Sequence, residues 1–128
     1  MSLMDHYRMA EESFETWKVL EHPGQLTEIV DRSFEKPVAV FKHSVRCGIS
    51  THAKYRLENE WGFTPEELDF YYLDLIRHRA ISNQIAEDFG VRHQSPQVIL
   101  IRKGKAVFDA SHHMISSALL REALEETR

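Results

Sequence analysis

A chain of 128 residues has room for one buried core, and 42% hydrophobic with 28% charged residues is the balance of an ordinary globular domain. A formal charge of −4, with no run of lysines and arginines, excludes a nucleic-acid surface, and no apolar stretch approaches the roughly 20 residues that span a bilayer. A single cysteine excludes an internal disulfide and, with no apolar signal segment at the N-terminus, gives the expectation of a reducing cytoplasm.

Residues 1–15 read as a polar arm, in which Met1-Ser2-Leu3 is a vector-derived addition before a native Met4, and residues 16–128 as the folded domain. Trp17-Lys18-Val19-Leu20 alternates weakly, as a short edge strand ended by His22-Pro23-Gly24. From Gln25, the positions Leu26, Ile29, Val30, Ser33 and Phe34 fall at helical spacing and predict a helix to about Phe34. Pro37 opens Val38-Ala39-Val40-Phe41, an apolar run without alternation, which is the pattern of a strand buried on both faces in mid-sheet. A polar turn, His43-Ser44-Val45-Arg46, leads to Cys47. Ile49, Ala53, Leu57 and Trp61 then recur every four residues, one stripe of an amphipathic helix that Gly62 and Pro65 end. Asp69 to Ile76 reads as a second buried strand, and Ile81, Ile85 and Phe89 as a helix stopped by Gly90. Ser95-Pro96 leads into Val98-Ile99-Leu100-Ile101. Lys103-Gly104-Lys105 turns the chain and Ala106-Val107-Phe108 returns as a hairpin partner. Ile115, Ala118, Leu119 and Ala123 mark a closing helix. The order β-α-β-α-β-α-β-β-α makes an α/β domain with a mixed central sheet, flanked by helices, and the terminal hairpin on one edge. That is a thioredoxin-like layout.

Within this order one stretch carries chemistry. A lone cysteine often only fills space in a core. Cys47 instead follows a polar turn, between Arg46 and Gly48, at a predicted helix start. Free N–H groups there favour thiolate, and can bring a thiol with an ordinary pKa of about 8.5 below about 7. Arg46, and His43 or His52 if they lie near, would add positive charge. Ser50 stands one helical turn on, where a dithiol enzyme has its resolving cysteine. A hydroxyl cannot resolve a mixed disulfide; it can donate a hydrogen bond to the thiolate or cap the helix. Any turnover through Cys47 therefore needs a second thiol from outside. The eight histidines suggest metal, but His43, Cys47, His52 and the pair His112-His113 fit no zinc spacing, so no metal ligands are assigned and no cofactor is expected.

The block Phe41-Lys42-His43-Ser44-Val45-Arg46-Cys47-Gly48-Ile49-Ser50 resembles the YtxJ-like monothiol bacilliredoxins of the thioredoxin superfamily, whose pattern is close to F-K-H-S-T-R-C-P-I-S. Ser95-Pro96-Gln97 before the third core strand and Asp109-Ala110-Ser111-His112 before the last helix extend the likeness from about Trp17 to Leu124. Gly48 departs from it, since the family usually has proline there. The resemblance implies a monothiol oxidoreductase that removes bacillithiol from protein mixed disulfides. Cys47 would be the nucleophile, with Arg46, Gly48, Ile49 and Ser50 forming the thiolate-stabilising turn. It also implies a cis Ser95-Pro96 peptide facing the cysteine, with Ser95 and Pro96 as substrate ledge, although only about 5–6% of X-Pro bonds are cis in general. Arg46 is expected to steer the carboxylates of bacillithiol's malyl group. The implied partners are bacillithiolated client proteins and bacillithiol, the thiol co-substrate, with the chain acting as a monomer or weak dimer.

Two other readings stay open at this point. Cys47-Gly48-Ile49-Ser50 is one residue from the Cys-Gly-Phe-Ser of monothiol glutaredoxins, which carry a [2Fe–2S] cluster. Against that, the Gly-Gly pair that holds glutathione is replaced here by Asp109-Ala110-Ser111-His112. A redox-inactive thioredoxin-like adaptor, in which Cys47 is incidental, is the third.

Overall fold

In the computed structural model, which describes residues 16–128, the central strand is the apolar run after Pro37, and it is longer than its apolar residues alone suggest. β1 spans Lys18–Val19, β2 Val38–His43, β3 Asp69–Asp74, β4 Gln97–Arg102 and β5 Lys105–Ser111. The helices are α1 (Gln25–Arg32), α2 (Gly48–Asn59), α3 (Arg79–Phe89) and α4 (Ser117–Glu126), with a 3₁₀ turn at His112–Met114. The expected arm at residues 1–15 lies outside the described residues.

The sheet runs β1-β3-β2-β4-β5. β1 and β2 are parallel to β3, β4 is antiparallel to β2, and the β4–β5 hairpin closes the edge. Flanked by strands on both sides, β2 buries all six of its residues. Alternation sends Ala39 and Phe41 to a core shared with Ala53, Leu57, Leu120 and Ala123 of α2 and α4. Val38 and Val40 go to the opposite core, with Leu26 and Ile29 of α1 and Ile81 and Ile85 of α3. The two-residue β1 is held by Trp17, whose ring lies 4.5 Å from Phe70 and 5.3 Å from Trp61, centroid to centroid.

Several element bounds differ from expectation for identifiable reasons. α1 ends at Arg32, and Phe34, counted on its apolar face, is 63% exposed. β3 stops at Asp74 because its Oδ1 accepts the N–H groups of Ile76 and Arg77 and turns the chain. The every-fourth stripe of α2 drifts, since a helix of 3.6 residues per turn rotates it by about 40° per step. Ile49 is thereby exposed, and Ser50, Ala53, Lys54 and Leu57 face inward. In α4 the buried face is Ser117, Leu120, Ala123 and Leu124, whereas Ala118 is exposed and Leu119 half-buried. Gly90 ends α3 in the left-handed conformation, at φ 63°.

One edge of this sheet collects the features that matter. The carboxyl ends of β2 and β3, the first residue of β4 and the last of β5 meet there, and α2 and α3 both begin there.

Candidate active site

Cys47 occupies the N-cap of α2, in extended conformation (φ −107°, ψ 120°), half-buried and unpaired. Its N–H donates to the Ser44 carbonyl at 3.1 Å, closing a tight turn after β2. Its carbonyl accepts from both the amide (3.0 Å) and the hydroxyl (3.1 Å) of Thr51, which locks the first turn of the helix. The amides of Gly48, Ile49 and Ser50 precede the first intrahelical bond and have no acceptor among the described hydrogen bonds. Cys47 therefore sits at the positive end of a twelve-residue helix dipole.

Ser50 does something other than expected. Its side chain is fully buried; its hydroxyl accepts the Ser44 N–H at 2.9 Å and lies 2.7 Å from Nδ1 of His43. No described hydrogen bond joins it to Cys47, so the expectation of a hydroxyl donated to the thiolate is corrected. Ser50 instead ties the start of α2 to the end of β2, and so fixes the turn that carries the cysteine. His43 is also reassigned. It is the last residue of β2, 1% exposed, and no part of a polar turn. Burial pushes its pKa down to about 4, with the Lys54 ammonium adding to the fall and Asp74 opposing it. A neutral imidazole adds no positive charge to the thiol. Arg46 and His52 are both exposed.

Gly48 is the first helical residue, and a Cβ built on it meets nothing within 4 Å. Its φ lies outside the left-handed region, and Cys47 already has the extended conformation that a following proline imposes. The backbone is thus shaped for proline while carrying glycine. Gly48→Pro is expected to raise stability by about 0.4–1 kcal/mol, through the lost freedom of the unfolded chain. Because it removes one N–H beside the sulfur, it should also slow alkylation of Cys47 at neutral pH. Urea midpoints and iodoacetamide kinetics read both; a fall in midpoint would contradict this account of the turn.

The Ser95–Pro96 peptide is cis, the expected isomer. The β2–β4 register ends at Lys42↔Gln97, and one step further sets Pro96 beside His43, four residues before Cys47. The Pro96 carbonyl accepts the His112 N–H at 3.0 Å, whereas the backbone of Ser95 enters none of the described hydrogen bonds. The Ser95 hydroxyl is buried without a partner. Around the same edge Val45, Ile49 and Met114 are exposed. Among the described residues, no three His, Cys, Asp or Glu side chains cluster closely enough to hold a metal ion. No helix among them is long and apolar enough to cross a membrane.

Sequence reasoning missed Lys42, whose side chain is fully buried on the α3 side of the sheet. Its Nζ donates to the Ser82 carbonyl at 3.1 Å and lies 3.4 Å from Nδ1 of His93. The strand was expected to end with its last apolar residue, Phe41, and a polar turn to open at His43. The signal that Lys42 and His43 continue the strand is the unbroken ladder of β2 with its neighbours, which is a property of pairing and not of composition.

A family model described as monothiol bacilliredoxin BrxC matches residues 18–120 of this chain. Among solved structures, a protein described as having a thioredoxin fold is 28% identical, with a TM-score of 0.69 over 84% of this chain and 93% of its own. The thioredoxin of Fasciola hepatica is similar at 19% identity and a TM-score of 0.67, over 87% of this chain and 99% of its own. That of Trypanosoma brucei brucei is similar at 18% and 0.67, over 91% and 95%. The fold is thioredoxin-like.

Proposed function

The chain belongs to the monothiol bacilliredoxin family, and on that premise we propose that it removes bacillithiol from client proteins bearing it as a mixed disulfide. The observation that carries this reading is the combination at α2: one thiol in the whole chain, at a helix N-cap, with a buried hydroxyl at the position of a resolving cysteine. Such a site can accept a thiol group but cannot discharge it alone.

The steps balance as two exchanges. The Cys47 thiolate attacks the bacillithiol sulfur of the adduct; a new S–S bond forms, the old one breaks, and the client leaves as a thiolate that takes up a proton. A second bacillithiol thiolate then attacks the same bacillithiol sulfur, giving bacillithiol disulfide and free Cys47 thiolate. The open amides of Gly48, Ile49 and Ser50 stabilise Cys47 as attacking and as leaving group. The free N–H and C=O of Ser95 offer an extended client segment the pairing of one more strand residue. Val45, Ile49 and Met114 give that segment apolar contact, and exposed Arg46 draws the anionic adduct toward the sulfur. Both thiols and clients of this kind are met in the cytoplasm, where the chain would act as a monomer or weak dimer with no resident cofactor.

The test is adduct transfer. Wild-type protein and Cys47→Ala are mixed with a bacillithiolated client, and both partners are followed by intact mass. Wild type should gain the mass of one bacillithiol as the client loses it. If client loss proceeds equally with the alanine variant, Cys47 is not the acceptor and the reading fails.

A further inference from the structure

The edge that carries Cys47 is cationic in a chain whose net charge is −4. The four segments that frame it, 43–52, 74–79, 91–97 and 111–116, contain Arg46, Arg77, Arg79 and Arg92 against a single carboxylate, Asp74. That carboxylate is engaged by the backbone of Ile76 and Arg77. All four arginines are exposed, and none enters a described ion pair.

On the α3 side of this edge Lys42 is fully buried, with a carbonyl and a histidine ring as its described partners and no carboxylate. Burial and the charge of Arg79 together push its pKa down to about 8, and His93 is pushed down by burial, Lys42 and Arg79. Ser82, three residues after Arg79 on α3, sets them in one neighbourhood: its carbonyl accepts from Lys42 and its hydroxyl lies 3.4 Å from Nδ1 of His93, so both pack against the turn of α3 that Arg79 opens, with no carboxylate among the described partners. The neighbourhood adjoins the ledge. Gln97 pairs with Lys42 across the sheet and its Nε2 donates to the Arg92 carbonyl at 3.0 Å, holding the loop that ends in Ser95-Pro96. An ammonium shielded from water acts on an anion at the rim through a lower dielectric than a surface lysine does.

We infer that Arg79 and His93, above buried Lys42, form a subsite for the dicarboxylate end of the low-molecular-weight thiol in the mixed disulfide. This rests on the proposed de-bacillithiolation and assigns the charged end of that substrate to the α3 side of the cysteine. Arg79 supplies a planar pair of donors to a carboxylate, His93 a ring N–H, and Lys42 the field from below. The apolar side chains Ile49 and Met114, on α2 and the turn after β5, are left for the client.

The experiment compares two adducts of one client peptide, a bacillithiol mixed disulfide and a neutral 2-mercaptoethanol mixed disulfide, with wild type and Arg79→Gln. Losing one charge-assisted contact should raise KM for the bacillithiol adduct roughly tenfold, with kcat unchanged and the neutral adduct unaffected. Equal losses on both adducts, or none on either, would overturn the subsite. So would a loss that follows acidic residues placed beside the client cysteine in place of the adduct. If wild type turns over neither adduct, the function proposed above falls, and malate alone decides the subsite. A saturable shift of the His93 ring resonances, abolished in Arg79→Gln, supports it; no shift refutes it.

Discussion

Replacing Cys47 by serine is expected to reduce adduct removal by on the order of 10³-fold or more, with no loss of stability. An alcohol is scarcely ionised at neutral pH and does not exchange with disulfides, so both transfer steps stop. Stability should move the other way. Cys47 is the N-cap of α2 and makes no side-chain cap bond, whereas serine is among the preferred N-cap residues. A hydroxyl at that position can accept from the open amides of the first turn, and a gain of up to about 1 kcal/mol is expected. On the proposed function, the site holds a poor cap because the chemistry needs sulfur, a local trade of stability for activity. The measurement pairs the adduct assay with denaturant unfolding. A serine variant that is both inactive and strongly destabilised would show that Cys47 has a packing role as well.

The second large effect concerns acid. His43 is buried with its pKa down at about 4, against an ordinary value near 6.5. Its folded-state pKa is depressed, so between those values the unfolded chain binds more protons and stability rises with pH. In the other direction, stability is lost as pH falls from about 6.5 and the loss is complete below about 4. A shift of this size corresponds to about 3 kcal/mol. Protonation would also set a buried cation beside Lys54 and disturb the His43–Ser50 contact that fixes the Cys47 turn. Urea unfolding at pH 7 and pH 4 reads the loss. Carboxylates titrate in the same range, so the comparison is with His43→Asn, which can still bond Ser50. The asparagine variant should be less stable than wild type at pH 7 and lose about 3 kcal/mol less on acidification. Parallel losses in the two proteins would remove His43 from the account.

Much of the fold can be read along the chain because its signals are local. The unbroken apolar run Val38 to Phe41 required a strand covered on both faces, and it lies at the centre of the sheet. Ile81, Ile85 and Phe89 followed by Gly90 required a helix and its stop, both present. The cysteine block carried its family likeness in ten consecutive residues, and the family model matches around it. Errors arose where a residue's place depends on what lies across from it. Phe34 and Ile49 kept helical spacing yet are exposed: α1 ends before Phe34, and the face that α2 turns to the sheet begins at Ser50.

The chemistry divides in the same way. By itself the sequence determined that there is one thiol, that it opens a helix, and that a hydroxyl stands where a second thiol would be needed. Those facts follow from residue identity and spacing over a single turn, and they make the proposed turnover through Cys47 dependent on an external thiol. Only the tertiary structure decided what Ser50 and His43 do. The hydroxyl turns inward to the last residue of β2, and that histidine is neutral because it is buried, with the Lys54 ammonium nearby. Only the structure, too, brought Lys42 against the helix that Arg79 opens and against His93, residues 37 and 51 positions further along the chain. Contacts over such separations are set by the packing of α3 and its following loop on β2, and no local pattern encodes them.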